Sequence, residues 1–461
     1  MSSHLQTMKD SSPMVMHSSS AAFKYIESFA NIERNPACSR TEYKLERMAY
    51  MLEVCGHPER SFKAVHIAGS KGKGSTAAIT ARILKELGYK TGMFTSPHLI
   101  SYKERITLAG IPFEDEVYVR SIQALKDKID DGTLTGNLGF PTTFELLTLL
   151  AFLILKEQKC QWAVLETGLG GRLDATNLVV PEVSIITPIE LEHCDILGDT
   201  LEKIAFEKAG IIKPGVPVAV QHQKPEALDV LRKRAEEFKS PFFYADDLVT
   251  LSERKMRPDG SSFTLTLNGG KYSIATNLTG DFQCDNIASS LLALSQIMPD
   301  LDMYKTTNAL QDVPLEGRME IIGTGPSIVV DGSHTAYSIQ RLVASCKEIF
   351  GAGGILVFGS VKGKNYQAML DLLVPCFDEV IISEPQGFKE TDISAVYEYA
   401  KSLCRTGQQS EKPLYLVSAP EEALRLAVSK MAKLGGKKPV VVTGSFYLAG
   451  AIKKVLKDKR L

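Results

Sequence analysis

Apolar positions along the chain fall into short unbroken runs, separated by longer stretches of helical spacing. Ala64–Ala68, Lys90–Phe94, Trp162–Glu166, Val183–Thr187 and Val216–Val220 read as strands. Their lack of polar alternation suits parallel strands buried on both faces. The stretches Ser75–Leu87, closed by Gly88, and Thr142–Glu157, Thr200–Ala209 and Pro225–Phe238 read as helices. Tyr25, Ile26, Phe29 and Ile32 mark an earlier amphipathic helix, and Leu45, Met48, Met51 and Leu52 another. Order is expected to begin near Ala22, after a mobile polar tail. One segment departs from this scheme. Ser262–Leu267 and Lys271–Ala275 alternate polar and apolar residues around Asn268-Gly269-Gly270, which predicts a hairpin at the sheet's edge. A helix from Phe282 to Met298 follows.

Past Pro314 a second series begins. Ile328–Val330, Ile355–Phe358, Val380–Ser383, Leu414–Val417 and Val440–Thr443 are short strands. Helical stretches such as Ser338–Phe350 and Pro420–Leu434 separate them. The expected fold class is α/β. A tail over residues 1–20 precedes a larger P-loop-type domain with a mostly parallel sheet over 21–314, and a smaller Rossmann-like α/β domain covers 315–461. Length agrees, because 461 residues exceed one ordinary core.

Composition then removes several function classes. Hydrophobic residues make up 44% and charged residues 23%, which argues against wholesale disorder. Lys and Arg total 53 and Asp and Glu 54, a net charge of −1, so no global basic excess points to nucleic acid. The longest apolar-rich stretch, Phe144–Leu155, is too short to span a bilayer and contains Glu145, so no membrane association is expected. Met1–Ser20 lacks the apolar core of a secretory signal. The eight cysteines are scattered without a C-x-x-C spacing, which reads as buried free thiols in a reducing cytoplasm. No coiled-coil heptads suggest assembly, so a monomer is expected.

The chemistry concentrates in a few turns. Gly69-Ser70-Lys71-Gly72-Lys73-Gly74-Ser75 lies between a predicted strand and a predicted helix. Glycines let the backbone fold tightly and aim N–H groups at an anion, and the helix N-terminus adds partial positive charge. Lys73 supplies a full charge for phosphates and Ser75 a hydroxyl for magnesium. The strict Walker spacing is not met: Ile67 stands where its first glycine would be, and Gly74 follows the lysine. The alternative is an ordinary glycine turn.

Three further stretches point the same way. Thr95-Ser96-Pro97-His98-Leu99 follows the second strand, with Ser96 a candidate metal ligand against a plain Ser-Pro turn. Glu166 ends the strand before Thr167-Gly168-Leu169-Gly170-Gly171-Arg172-Leu173-Asp174-Ala175-Thr176-Asn177. A carboxylate there suits magnesium shared with phosphates, the alternative being a capping or paired acid. Glu192-His193 follows the next strand, and Lys208 comes fifteen residues after His193.

As a set, Gly69–Ser75, Thr95–Leu99, Glu166–Asn177, His193 with Leu197-Gly198, and Glu207–Gly215 resemble the folylpolyglutamate synthase/dihydrofolate synthase family in order and spacing. This family belongs to the Mur-ligase-like, ATP-dependent amide-bond ligases. Gly280-Asp281-Phe282-Gln283 with Asn286, Gly317-Arg318-Met319-Glu320, Asp331-Gly332-Ser333-His334 and Thr443-Gly444-Ser445-Phe446-Tyr447 extend the likeness nearly to the C-terminus. The resemblance implies ATP phosphates on Gly72, Lys73, Gly74 and Ser75, with Asn286, Arg318 and Asp331 also holding ATP. It implies two Mg²⁺ sites, one at Ser96 and Glu166 and one at His193. Lys208 matches a lysine that becomes a carbamate. The pterin acceptor would lie along Thr142, Thr143, Phe144, Glu145, Leu173, Asp174 and Ala175, and the incoming L-glutamate near His334 and Ser445. The glutamate amine must be neutral to attack, which makes His334 a candidate base.

The chain departs from the family pattern at Ser70-Lys71, usually Thr-Asn; at Glu192, often Asp; at Glu316, commonly Pro; and at Ser333 and Thr335, commonly Ala and Asn. None of these removes a phosphate or metal group. The implied reaction is ATP-driven addition of L-glutamate to dihydropteroate and to reduced folates through an acyl phosphate. The rivals are one of these activities alone, a Mur-type ligase for another carboxylate and amino acid, a P-loop kinase, and a non-catalytic binding protein.

Overall fold

The computed structural model describes residues 16–31, 45–323, 325–387, 389–405, 412–433 and 435–458. Its first sheet has eight strands: β1 (Lys63–Ala68), β2 (Thr91–Phe94), β3 (Ile106–Leu108), β4 (Ile111–Pro112), β5 (Trp162–Glu166), β6 (Val183–Ile186), β7 (Val218–Val220) and β8 (Phe242–Tyr244). They lie in the order β4-β3-β2-β5-β1-β6-β7-β8. All neighbours from β2 to β8 pair in parallel, and only β3 and β4 join antiparallel.

The central strands are buried throughout because helices cover both faces. Val65 and Ile67 pack with the helices Lys73–Glu86 and Asp281–Ile297, whereas Ala64 packs with Thr143–Glu157. Successive residues of one strand thus feed two cores.

The predicted hairpin forms, but not on this sheet. β9 (Val249–Arg257), β10 (Gly260–Leu267) and β11 (Gly270–Thr276) make a separate antiparallel sheet in the order β11-β10-β9. Its apolar face, Phe263, Leu265, Leu267 and Ile274, packs beside the 281–297 helix. The pattern hid β9 because Ser252-Glu253-Arg254-Lys255 is polar on both faces.

The second sheet has six strands: β12 (Glu320–Ile322), β13 (Ile328–Val330), β14 (Ile355–Phe358), β15 (Glu379–Ile382), β16 (Leu414–Leu416) and β17 (Val440–Thr443). Their order is β12-β13-β17-β14-β15-β16, with β12 alone antiparallel. The architecture is therefore a large parallel-rich α/β unit followed by a smaller α/β unit.

Other expectations shift at the edges. Met16 is buried and the Ser18 hydroxyl accepts from the Ala21 N–H to cap the helix Ser19–Glu27, so ordered chain precedes Ala22. Ile32 and residues 1–15 lie outside the described residues. The helix Asp115–Asp130 was not anticipated, although Tyr118, Ile122, Leu125 and Ile129 carry helical spacing, and β3, β4, β8 and β12 are too short to show a period. Of the described cysteines, Cys194 is exposed and Cys55 and Cys376 are half-buried, which corrects the expectation of uniformly buried thiols. Among the described residues, no helix is long and apolar enough to cross a membrane.

Candidate active site

The carboxyl ends of β1, β2, β5 and β6 deliver the motif loops to one edge of the first sheet. The loop after β1 turns straight into the Lys73–Glu86 helix, two residues earlier than its pattern predicted. Gly72, at φ +87°, caps it without a side chain. The N–H groups of Lys73, Gly74 and Ser75 are thus left without intrahelical acceptors, as at any helix start. A Cβ on Gly69 would sit 1.8 Å from Thr187 Oγ1, and one on Gly72 would sit 2.6 Å from Asn286 Oδ1. These two positions require glycine for close approach as well as for φ.

The loop is anchored from beneath. The Ser70 and Lys71 N–H groups donate to the Pro188 carbonyl at 2.8 and 3.2 Å, and Ser70 Oγ donates to the Glu190 carbonyl. Two lysines then reach one carbonyl: Lys73 Nζ and Lys208 Nζ donate to Gly69 O at 2.9 and 2.7 Å. Lys208 also donates to Glu192 Oε1 at 3.0 Å, while Lys71 Nζ stands 3.7 Å from Glu192 Oε2. Burial, with Lys73 and Lys71 nearby, lowers Lys208 to about 8 although Glu192 opposes the shift. Burial alone would raise the Glu192 carboxyl, but Lys208, Lys73 and Lys71 together hold it well below the usual range.

Glu166 is buried at the end of β5, and its Oε2 accepts from the Ser96 N–H at 3.1 Å. Burial pushes its carboxyl up, against the pull of Lys73, Arg318 and Arg105. A Cβ on Gly74 would lie 3.3 Å from Glu166 Oε2 and 3.8 Å from Arg318 Nη2. The second unit's arginine therefore reaches the first unit's phosphate loop. Asp331 holds the segment bearing Arg318 by accepting from the Met319 and Ser333 N–H groups at 2.7 and 2.8 Å. The Arg318 guanidinium lies over the Phe446 ring at 4.1 Å.

Ser96 and Glu166 offer the hard oxygen donors that magnesium prefers. Among the described residues no group of three or more His, Cys, Asp or Glu could hold a metal by itself. The donor set thus fits an ion completed by phosphate oxygens and water rather than a protein cage. His193 is exposed at the rim, yet crowded by protein mass. Loss of bulk water, with Lys364, Lys208 and Lys73 close by, lowers its ring to about 4 against the pull of Glu192. A neutral imidazole at this rim would offer a ring nitrogen to a metal.

The predicted acceptor segment divides. Thr142 and Glu145 close a capping box at the start of the Thr143–Glu157 helix. Glu145 also takes Arg47 Nε at 3.1 and 2.9 Å and Nη2 at 2.8 Å in a buried pair. Thr143 Oγ1 contacts the Ile26 and Phe29 carbonyls. Asp174 accepts four hydrogen bonds, from the Gly168, Leu169 and Thr176 N–H groups and from Thr176 Oγ1. His66 Nε2, 2.8 Å from Thr176 Oγ1, extends this chain. The polar groups of Thr142, Thr143, Glu145 and Asp174 are therefore turned into the protein. Phe144, against Gly168, and the exposed Leu173 remain as surface, with Ala175 buried behind them.

On the second unit, His334 Nδ1 donates to the Gly332 carbonyl at 3.0 Å, which leaves Nε2 as an acceptor. Burial, then Lys71 and Lys364, hold its ring well below its usual pKa. Ser445 Oγ accepts from the Tyr447 N–H and caps the last helix. Asn286, buried, donates to Gln283 Oε1 at 3.0 Å.

Sequence reasoning missed two participants. Lys364 joins this cationic cluster from the second unit, and no local pattern marks it. Glu104 accepts from the Leu99, Ile100 and Ser101 N–H groups and so fixes the Ser96 turn. Its signal was present, as the S-x-x-E capping box Ser101-Tyr102-Lys103-Glu104.

Comparison with known proteins gives concordant results. The family model described as Mur ligase middle domain matches residues 67–294, and that described as Mur ligase, glutamate ligase domain matches 317–446. The chain is similar to a dihydrofolate synthase/folylpolyglutamate synthase of Bacillus subtilis, 35% identical over 90% of this chain and 95% of the relative. It is similar to a folylpolyglutamate synthase of Lacticaseibacillus casei, 29% identical over 94% and 98%. Among solved structures, Mycobacterium tuberculosis folylpolyglutamate synthase, complexed with ADP and AMPPCP, superposes with a TM-score of 0.84 and 27% identity, covering 95% of this chain and 98% of that one.

Proposed function

Because the chain belongs to the folylpolyglutamate synthase/dihydrofolate synthase family and is an ATP-dependent ligase, we propose that it adds L-glutamate both to dihydropteroate and to reduced folates. The likeness to a relative named for both activities supports the two acceptors, and the observation that carries the ATP-driven part is the meeting of Arg318 with Gly74 and Glu166, charges from two units around one phosphate loop. We take 21–314 and 315–461 as the two domains that enclose ATP. The chain acts on small molecules as a monomer in this reading.

The acceptor carboxylate attacks the γ-phosphate and becomes an acyl phosphate, with ADP leaving. Lys73, Arg318 and the helix N-terminus stabilise the charge that develops on the phosphoryl oxygens. The amine of glutamate then attacks the acyl carbon, phosphate leaves and an amide remains. We assign the amine's proton to His334 through Nε2, the ring nitrogen that the bond to Gly332 leaves as an acceptor. Magnesium, held by Ser96 and Glu166 and by His193, would supply charge neutralisation at the phosphates. Lys208 reacts with CO₂ in this reading. The lowered pKa supports that step, because only the neutral amine adds to CO₂, and Lys71 and Lys73 lie close enough to stabilise the resulting anion. Phe144, Leu173 and the Gly168 backbone line the acceptor's path.

The test is ADP release with ATP, magnesium and L-glutamate, comparing dihydropteroate with tetrahydrofolate and weighing products by mass spectrometry. Adducts heavier by one glutamate from both acceptors support the dual activity. An adduct from one alone restricts the enzyme to that step, and ADP without an adduct removes the pterin assignment.

A further inference from the structure

The first two turns of the Asp281–Ile297 helix have two audiences within six residues. One face looks toward the nucleotide: Asn286, hydrogen-bonded to Gln283, abuts the phosphate loop at Gly72. The other face is held by the second unit. Arg341, on the Ala336–Phe350 helix, grips Asp281 through two hydrogen bonds, Nε to Oδ1 at 3.2 Å and Nη2 to Oδ2 at 2.8 Å. The same Nη2 lies 3.2 Å from Asp285 Oδ2. Arg254, on β9 of the small antiparallel sheet, takes the other oxygen of Asp285 at 2.8 Å. Phe282, between the two acids, packs against the second unit's core.

A second contact between the units has the same logic. A Cβ on Gly450 would fall 2.2 Å from the Leu99 carbonyl oxygen, and Leu99 also packs beside Gly317. Leu99 lies three residues beyond Ser96. Both joints thus fall on segments that carry proposed nucleotide or metal groups. The Arg341 joint is polar, forked and partly exposed, the Leu99 joint apolar. A bidentate fork fixes orientation as well as distance.

We infer that Arg341 is a positioning residue for the reaction proposed above, pinning the nucleotide-facing helix to the second unit so that Asn286 and Arg318 address the same ATP molecule. The inference rests on the ATP-binding part of that reading. Arg341 lies on the helix that follows the Asp331–His334 motif, and it acts through Asp281 and Asp285.

The test uses the full chain with Arg341→Met, which keeps the stem, and Arg341→Lys, which keeps the charge but not the fork. Affinity for AMPPCP is read by calorimetry, and KM for ATP and for the acceptor by ADP release. Arg341→Met is expected to weaken AMPPCP binding and raise KM for ATP about tenfold. KM for the acceptor should move less than about twofold. Arg341→Lys should recover part of the loss. Asp281→Asn, a near-isosteric change, should reproduce it and be non-additive with Arg341→Met. Unchanged AMPPCP affinity in Arg341→Met overturns the inference. So does an equal loss in every parameter with a lower melting temperature and no recovery by lysine. AMPPCP binding needs neither acceptor nor glutamate. A wild-type chain that binds AMPPCP but forms no glutamate adduct therefore sinks the ligase reading alone, whereas one that binds no AMPPCP sinks both.

Discussion

The phosphate loop and the acceptor segment use similar residue types to opposite ends. At Gly69–Ser75 the N–H groups of Ser70 and Lys71 and the two residues' side chains are satisfied by Pro188, Glu190 and Glu192, the Gly69 carbonyl takes Lys73 and Lys208, and the N–H groups of Lys73, Gly74 and Ser75 are left for a ligand. At Thr142–Glu145 and Asp174, the polar atoms face inward and satisfy caps, a buried arginine and a loop's own N–H groups. A motif residue can therefore touch the substrate or hold the residue that does. The sequence does not distinguish the two, because Thr, Glu and Asp serve either role.

Substitutions on the two sides should separate chemistry from stability. Lys73→Met removes the charge that the proposed mechanism directs at the transferred phosphoryl group. It should lower kcat roughly 10²–10³-fold with the melting temperature unchanged, and a kcat within a factor of two would refute the assignment. Glu145→Gln should do the reverse. Removing a carboxylate from a buried pair costs about 3 kcal/mol, seen as a lower urea midpoint, while activity per folded molecule persists. A large rise in acceptor KM with unchanged stability would place Glu145 in the substrate site after all.

A smaller effect is expected where the two units meet. Arg318→Ala should raise KM for ATP about tenfold and spare the fold, so unchanged kinetics would remove Arg318 from the nucleotide. The smallest effect concerns Lys208. Its folded pKa is about 8, below the ordinary 10.5, so the unfolded chain keeps its proton longer. Stability from this group therefore rises as pH climbs from about 8 toward 10.5. Under the proposed carbamate, activity follows the same neutral amine, so the bicarbonate needed for half-maximal ADP release should fall between pH 7 and 8.5. Equal rates in CO₂-free buffer at both values would exclude the carbamate.

Much of the scaffold was legible. Ala64–Ala68, Trp162–Glu166 and Val440–Thr443 are apolar because both their faces are covered, and such runs announce themselves. β9 was not legible, because its polar outer face and half-buried inner face carry no clean alternation. β3 and β4 are too short to show a period. The phosphate loop was readable from glycine, lysine and serine at a strand-to-helix turn. The clustering of Lys364 with Lys71, and of Arg341 with Asp281, was not, since each pair joins residues far apart in the chain.

The amino-acid order by itself determined the local events: which runs form strands, where glycine permits a tight turn, and which loops gather at the strand ends. Tertiary structure alone decided which way each polar group faces. That choice depends on which partners burial brings within about 3 Å, because a buried donor or acceptor must find one there. Glu145 found Arg47 and was withdrawn from the surface. Glu166 met Ser96 and Arg318 at the open edge and remained available for chemistry.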